Sequence, residues 1–175
     1  MPKFRVCRHV PVQPLDQSYR LIPLTQGQNA IVDASDFEWL SQWNWQVQKG
    51  WKTLYAVRHD KTLPTKQTKV NMHCEIIGFK GCDHVNRNGL DNRRENLRAA
   101  TVNQQSYNMS TYNTNKSGFR GVFYVKRSRK WLACIKADGK RIHIGFFESK
   151  LEAAIEYNKA AMKYHGEFAS LNKVE

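Results

Sequence analysis

The sequence has no long hydrophobic run. No stretch approaches the roughly 18 apolar residues of a spanning helix, and the opening MPKFRVCRHV lacks the apolar segment of a secretory signal. A soluble, intracellular protein acting in the cytoplasm is therefore expected, with no membrane partner. Cysteine is scarce as well: Cys7, Cys74, Cys82 and Cys134 stand apart, with no CxxC pair. That spacing argues against a disulfide framework and lacks the paired thiolates of structural zinc. His73, Cys74, Cys82 and His84 could gather around zinc, but free, partly buried thiols in a reducing compartment are the better reading. Acidic residues are few, 15 Asp+Glu against 28 Lys+Arg, for a formal net charge of +13. Such an excess favours a polyanion, and without a membrane signature nucleic acid is the natural one. Low-complexity tracts and repeats are absent. With 41% hydrophobic and 25% charged residues over 175 positions, the chain suits one medium domain or two small ones.

Two apolar runs flank TQGQN in YRLIPLTQGQNAIVD, residues 19–33, which predicts a β-hairpin. Ser35 and Glu38 stand three apart as a capping box, predicting a helix from Asp36 to about Trp43. WNWQV and TLYAVRH then read as paired strands across Lys49–Gly50, and Trp39, Trp43, Trp45 and Trp51 as a packed core. MSTYNTNKS, residues 109–117, has the composition of a linker.

Beyond it, three strands lead into one helix. Trp131, Ala133 and Ile135 share one face of KWLACIKA, with Lys130, Cys134 and Lys136 opposite, while Ile142, Ile144 and Phe146 alternate with Arg141 and His143. A second capping box, Ser149 and Glu152, starts a helix from Lys150 to about Tyr164 that would cover the apolar face with Leu151, Ala154, Ile155, Asn158, Ala161 and Met162, and Gly166 would stop it. The other sheet face is basic. Residues 116–141 hold nine Lys or Arg and one acid, Asp138, a balance that favours phosphate contact.

The stretch CDHVNRNGLDNRRENLR, residues 82–98, either places an acid and a histidine side by side for chemistry or is only a polar hairpin feeding a basic helix. Asn86, Asn88 and Gly89 are turn formers, and Asn92 with Glu95 reads as a third capping box, predicting a helix from near Arg93 towards Asn108. On such a helix Arg94, Arg98, Thr101, Gln105 and Asn108 lie near one stripe, Leu97, Ala100 and Gln104 lie on another, and Asn96 points away from Gln105. Asp83 and His84 on one strand would point to opposite faces. The carboxylate could then hold a hard cation such as Mg²⁺ while the imidazole takes a proton from water.

DHVNRNGLDNRRENLRAAT resembles the core of the HNH homing endonuclease family, of the phage and intron type with a ββα-metal (His-Me finger) fold. GFRGVFYVKRSRKWLACIKADGKRIHIGFFESKLEAAIEYNKAAMKYHGEFASLN resembles the APETALA-type (ethylene-response-factor) DNA-binding domain, and YRLIPLTQGQNAIVD is similar to the N-terminal part of the phage enzymes. The first resemblance implies that His84 is the general base and Asp83 a ligand of a single Mg²⁺ or Mn²⁺. Asn96 would be the central Asn that braces the loop and orients the His. The third motif position, usually His or Asn, is Gln105 here, and Asn108, one turn on, could substitute as a metal ligand. His73–Cys74 stands where related sequences commonly have His–Arg. The second resemblance implies that Arg120, Lys136, Arg141 and His143 contact DNA from the sheet, while Phe123 and Val125 replace arginines of the plant domain. Arg87, Arg93, Arg94, Arg98, Lys126, Arg127 and Lys130 complete the expected DNA-binding set.

The expected fold class is α+β: an HNH nuclease module over 1–109, with its core motif at 73–108, a linker at 110–117, and over 118–175 an antiparallel three-stranded sheet packed on one helix. The expected function is metal-dependent hydrolysis of double-stranded DNA by a monomer, phage- or mobile-element-encoded. The alternative is a weakened or inactive nuclease that acts as a sequence-specific DNA-binding protein, for which Gln105 is the main support.

Overall fold

The apolar runs around TQGQN pair with each other. In the computed structural model, which describes residues 8–60, 62, 69–108 and 115–174, β1 (Tyr19–Pro23) lies antiparallel to β2 (Asn29–Asp33), with Leu21 opposite Ile31. Every second residue turns inward, so Ile22, Ala30 and Val32 join Leu24, Leu40, Trp45, Ala56 and Met72 in one buried cluster. Helix α1 runs Ala34–Ser41, earlier than expected, and the Ser35–Glu38 box does not form. Strand β2 enters the helix directly: its last residue, Asp33, is the N-cap, and the Asp33 carboxylate instead accepts the backbone N–H of Arg94 at 2.7 Å.

Strands β3 (Gln46–Lys49), β4 (Leu54–His59) and β5 (Lys69–Asn71) form an antiparallel sheet in that order. The four-tryptophan core is only partly realised. Trp45 is fully buried, its indole N–H donating to the Leu40 carbonyl at 2.8 Å, and Trp39 packs against the same cluster. Trp43 and Trp51 are 45% and 60% exposed. Trp43 falls in the turn that closes α1, before the strand begins, and stacks on the Arg58 guanidinium 4.2 Å from the ring centre. Helix α2 (Met72–Ile77) buries Met72, His73 and Ile76 and ends at Gly78 with φ of 82°, a left-handed cap that glycine adopts without strain.

The helix expected from Arg93 to Asn108 does not exist as one element. A 3-10 turn at Arg94–Asn96 leads into β7 (Leu97–Ala99), which pairs antiparallel with β6 (Cys82–His84), and helix α3 starts only at Val102 and ends at Tyr107. Asn92 is no cap: its amide donates to the Leu90 carbonyl at 3.1 Å. The cap that forms is Thr101 with Gln104, both arms of the box in place. Residues 97–99 have a partner strand waiting, and a ladder to β6 that buries Leu97 wins over local helix propensity. The single-helix phasing of Asn96 against Gln105, and the stripes drawn on it, therefore do not apply.

The chain forms two compact units, Met1–Ala100 and Thr101–Glu175, so α3 groups with the C-terminal unit. Of the expected linker, residues 110–114 lie outside the described set. In the C-terminal unit β8 (Val122–Val125), β9 (Lys130–Ala137) and β10 (Lys140–Phe147) form an antiparallel sheet in the order β10-β9-β8, covered by α4 (Lys150–His165), whose Ser149–Glu152 capping box forms as expected. Two details depart from the expectation. The register of β10 shifts between His143 and Gly145, leaving Ile144 as an extra residue, so Phe147 rather than Phe146 packs inward. The buried face of α4 is Ala153, Ala154, Tyr157, Ala161 and His165, while Leu151, Ile155 and Met162 stay at least 38% exposed. Small residues let the helix settle close to the sheet, and Tyr157 reaches Ile135 in the gap. The result is an α+β protein of small antiparallel sheets and few helices.

Candidate active site and nucleic-acid surface

His84 ends β6 and is only 5% exposed. Its ring meets His73 edge-on at 4.9 Å and Tyr55 at 5.9 Å, so α2 and β4 build the wall that holds it. Burial holds the His84 imidazole below its ordinary range, although Asn92 and the Asp83 and Asp91 carboxylates pull the other way. Nε2 lies 3.4 Å from Asn92 Oδ1, and a proton on Nε2 would leave Nδ1 as the basic nitrogen. The site thus presents a buried, neutral imidazole beside an amide.

The loop after His84 is held by amides. Asn96 Oδ1 accepts the Asn86 backbone N–H at 2.9 Å, and its Nδ2 donates to Asn86 Oδ1 at 3.0 Å and to the Asp91 carbonyl at 2.7 Å. The Val85 N–H donates to the Asn96 carbonyl at 2.9 Å. Asp91 in turn accepts from Asn86 Nδ2 at 2.8 Å and from Arg93 at 2.8 Å on each oxygen, which holds its carboxyl below the usual range. Gly89 is dictated by space: a Cβ there would stand 2.4 Å from the Leu54 carbonyl oxygen and 2.6 Å from the Tyr55 ring. Sequence reasoning took Asn92 for a cap and passed over Asp91 and Tyr55. The density of Asn and Asp between His84 and Asn96 was the available signal, since short polar side chains of this kind close loops on themselves.

Asp83 is the cross-strand partner of Arg98, whose Nη2 and Nε donate to Asp83 Oδ2 at 2.8 and 3.2 Å. Arg94 likewise grips the buried Asp36 through two bonds of 2.8 and 2.9 Å, and Arg93 holds Asp91 and Glu95. Positive charge that the sequence displays at 93–98 is thus largely paired within the unit. Arg87 sits in the loop with a positive φ of 64°.

Sulfur is a poor ligand here. Burial pushes the Cys82 thiol up to about 12 and raises Cys74 too, so both stay protonated at neutral pH, and among the described residues no group of three His, Cys, Asp or Glu could hold a metal. What remains as an oxygen donor next to His84 is the Asp83 carboxylate, and an oxygen donor of this kind fits a hard divalent cation that keeps several waters and takes a phosphate oxygen as a further ligand.

In the C-terminal unit, α3 places Gln105 half-buried and Asn108 buried. The helix is anchored by Tyr107, which stacks on His165 with ring centres 3.8 Å apart and accepts the Asp138 N–H at 3.1 Å. Arg120 donates to the Tyr157 hydroxyl at 2.9 Å and to the Ser106 carbonyl at 3.1 Å, so its guanidinium is engaged inside the unit. Lys136, Arg141 and His143 lie exposed on the sheet face opposite α4, Arg141 directly across from Lys136. Lys126 and Arg127 are exposed at the β8–β9 turn, and Lys130 pairs with Glu148 at 2.6 Å.

Among the described residues, no helix is long and apolar enough to cross a membrane. No family model and no solved structure matches the chain. An "Uncharacterized HNH endonuclease" of Acanthamoeba polyphaga mimivirus is 30% identical over 162 residues, 90% of this chain and 81% of the relative. "Protein 3.8" of Escherichia phage T7 is 33% identical over 89 residues, 50% of this chain and 71% of its own length. An "AP2-like ethylene-responsive transcription factor" of Arabidopsis thaliana is 34% identical over 61 residues, 35% of this chain and 13% of its own. The long match to the mimivirus protein shows the family, and the chain belongs to the HNH endonucleases.

Proposed function

We propose that this nuclease hydrolyses phosphodiester bonds of double-stranded DNA, with His84 as general base and the sheet of residues 118–175 holding the duplex. The observation that carries the reading is the buried, neutral His84 next to Asp83, its ring walled by His73 and Tyr55 and its loop stapled by Asn96. Asp83 would hold one Mg²⁺ or Mn²⁺, which when bound would neutralise charge on the scissile phosphate and the leaving 3′ oxygen. His84 Nδ1 removes a proton from the attacking water. Asn92 keeps the ring in the tautomer this needs, and Asn96 keeps the loop that positions both. Arg98 pairs with Asp83 at 2.8 Å and fixes its position on β6. Lys136, Arg141, His143, Lys126, Arg127 and Lys130 supply phosphate and base contacts on the C-terminal sheet, with Arg120 shaping it from within. Arg87, Arg93, Arg94 and Arg98 add contacts at the nuclease module. The working unit is a monomer.

Cleavage of labelled plasmid with Mg²⁺ or Mn²⁺ tests this. Wild type is expected to nick or cut, His84→Ala to leave the plasmid intact, and Gln105→Asn to cut faster, since a misplaced ligand can cost ~10²-fold in rate. A second reading, a DNA-binding protein with a retired active site, is favoured by Gln105 and by the Asp83–Arg98 pair. It predicts binding without cutting in wild type and recovered cutting in Gln105→Asn.

A further inference from the structure

The face of the C-terminal sheet opposite α4 is not uniformly basic. Cross-strand partners share a face, so the register fixes which side chains stand together. Phe123 opposes Leu132, and Leu132 opposes Phe146, which makes one apolar row across all three strands. Phe123 and Phe146 are each 48% exposed. Phe146 joins this face because of the shift in β10, and its ring meets His143 at 5.1 Å. Cations bracket the row. Lys126, Arg127 and Lys130 lie at the β8–β9 end, and Lys136 and Arg141, opposite each other, lie at the other. Six residues of extended strand separate Lys130 from Lys136, roughly 20 Å at ~3.4 Å per residue.

That order, cation, apolar row, cation, matches the cross-section of one ligand. The major groove of duplex DNA is ~12 Å wide, edged by phosphates on both sides, and the only apolar groups on its floor are the C5-methyls of thymine. Resting on the proposed role of this sheet in holding duplex DNA, we infer that Phe123, Leu132 and Phe146 read thymine methyl groups in the major groove. Lys136 and Arg141 contact phosphates on one edge and Lys126, Arg127 and Lys130 those on the other. The row excludes G·C pairs at its positions, because it would cover their donors and acceptors without pairing them. Specificity for T-containing steps thereby comes from apolar contact rather than from arginine.

The full chain, held in EDTA so that no cleavage intervenes, is used to select a duplex from a randomised library, and that duplex is remade with deoxyuridine for thymidine. The two differ only in the methyls. Each contacted methyl lost should weaken binding about fourfold, roughly fifteenfold for two. Phe123→Ala and Phe146→Ala should bind the thymidine duplex no better than the uridine one, while Phe123→Leu and Phe146→Leu keep the discrimination and all four keep the wild-type melting profile. Equal binding of both duplexes, with Lys136→Ala weakening each, would overturn the inference and leave DNA binding by the sheet intact. Tighter binding to the single strand than to its duplex would overturn it in favour of base stacking. Failure to bind any duplex would remove the inference together with the role it rests on.

Discussion

His73 offers a stability measurement whose size follows from its surroundings. It is 8% exposed on α2, edge-on to His84, and its Nδ1 has no hydrogen-bond partner. Burial, aided by nearby His84 and Lys69, lowers its pKa from 6.5 to about 4. Between those values the unfolded chain binds a proton that the native chain refuses. Its folded pKa is the depressed one, so the stability at stake is fully present above 6.5 and is lost as pH falls through the window towards 4. At 1.36 kcal/mol per unit the loss is about 3 kcal/mol, a large share of the stability of a domain this size. His84, also lowered by burial, acts in the same direction. Asp36 and Asp91, held below 3.8 by Arg94 and Arg93, lose their contribution only in stronger acid and do not confuse the window. The assay is urea unfolding of the full chain followed by the fluorescence of buried Trp45 across that pH range. His73→Phe keeps a ring in the space without a titrating nitrogen and should lose most of the slope. A wild-type midpoint that does not move, or a His73→Phe slope equal to wild type, would refute the reasoning.

Asn96→Ala removes three hydrogen bonds from a buried loop and should cost about 2–4 kcal/mol in urea unfolding, with plasmid cleavage falling ~10²-fold as His84 loses its loop. Gly89→Ala forces a methyl against the Leu54 carbonyl, which cannot yield as a side chain would, and should lower stability by ~1–3 kcal/mol in the same measurement. Phe147→Ala should destabilise by ~2–3 kcal/mol and Phe146→Ala by less than ~1 kcal/mol in thermal unfolding; the reverse order would place the bulge wrongly.

Local chemistry was legible where it was self-sufficient. The TQGQN hairpin, the strand pair around Lys49–Gly50, and the Ser149–Glu152 box all formed, because each is closed by residues within a few positions of one another. Two other boxes with the same spacing, Ser35–Glu38 and Asn92–Glu95, did not form. Ser35 lies inside α1, which already begins at Ala34, and Asn92 is engaged elsewhere, with Leu90 and His84. At the candidate site, the side-by-side placement of Asp83 and His84 could be read directly, since adjacent strand residues diverge whatever surrounds them. Asn92, Asp91 and Tyr55 could not, because their relation to His84 passes through a loop closure and a sheet contact.

The sequence by itself determined the adjacency of Asp83 and His84, the basic excess over 116–141 and the strand and helix segments of the C-terminal unit, all consequences of residue type and period. Tertiary structure decided the rest. It turned 97–99 into a strand because β6 offered a ladder, paired Arg94 with Asp36 across 58 residues, and neutralised Asp83 with Arg98. It also inserted Ile144 as an extra residue and so brought Phe146 to the face of Lys136 and Arg141. Each of these depends on which distant group arrives to satisfy a hydrogen bond, a charge or a packing gap, and a one-residue shift in a strand reverses every side chain after it.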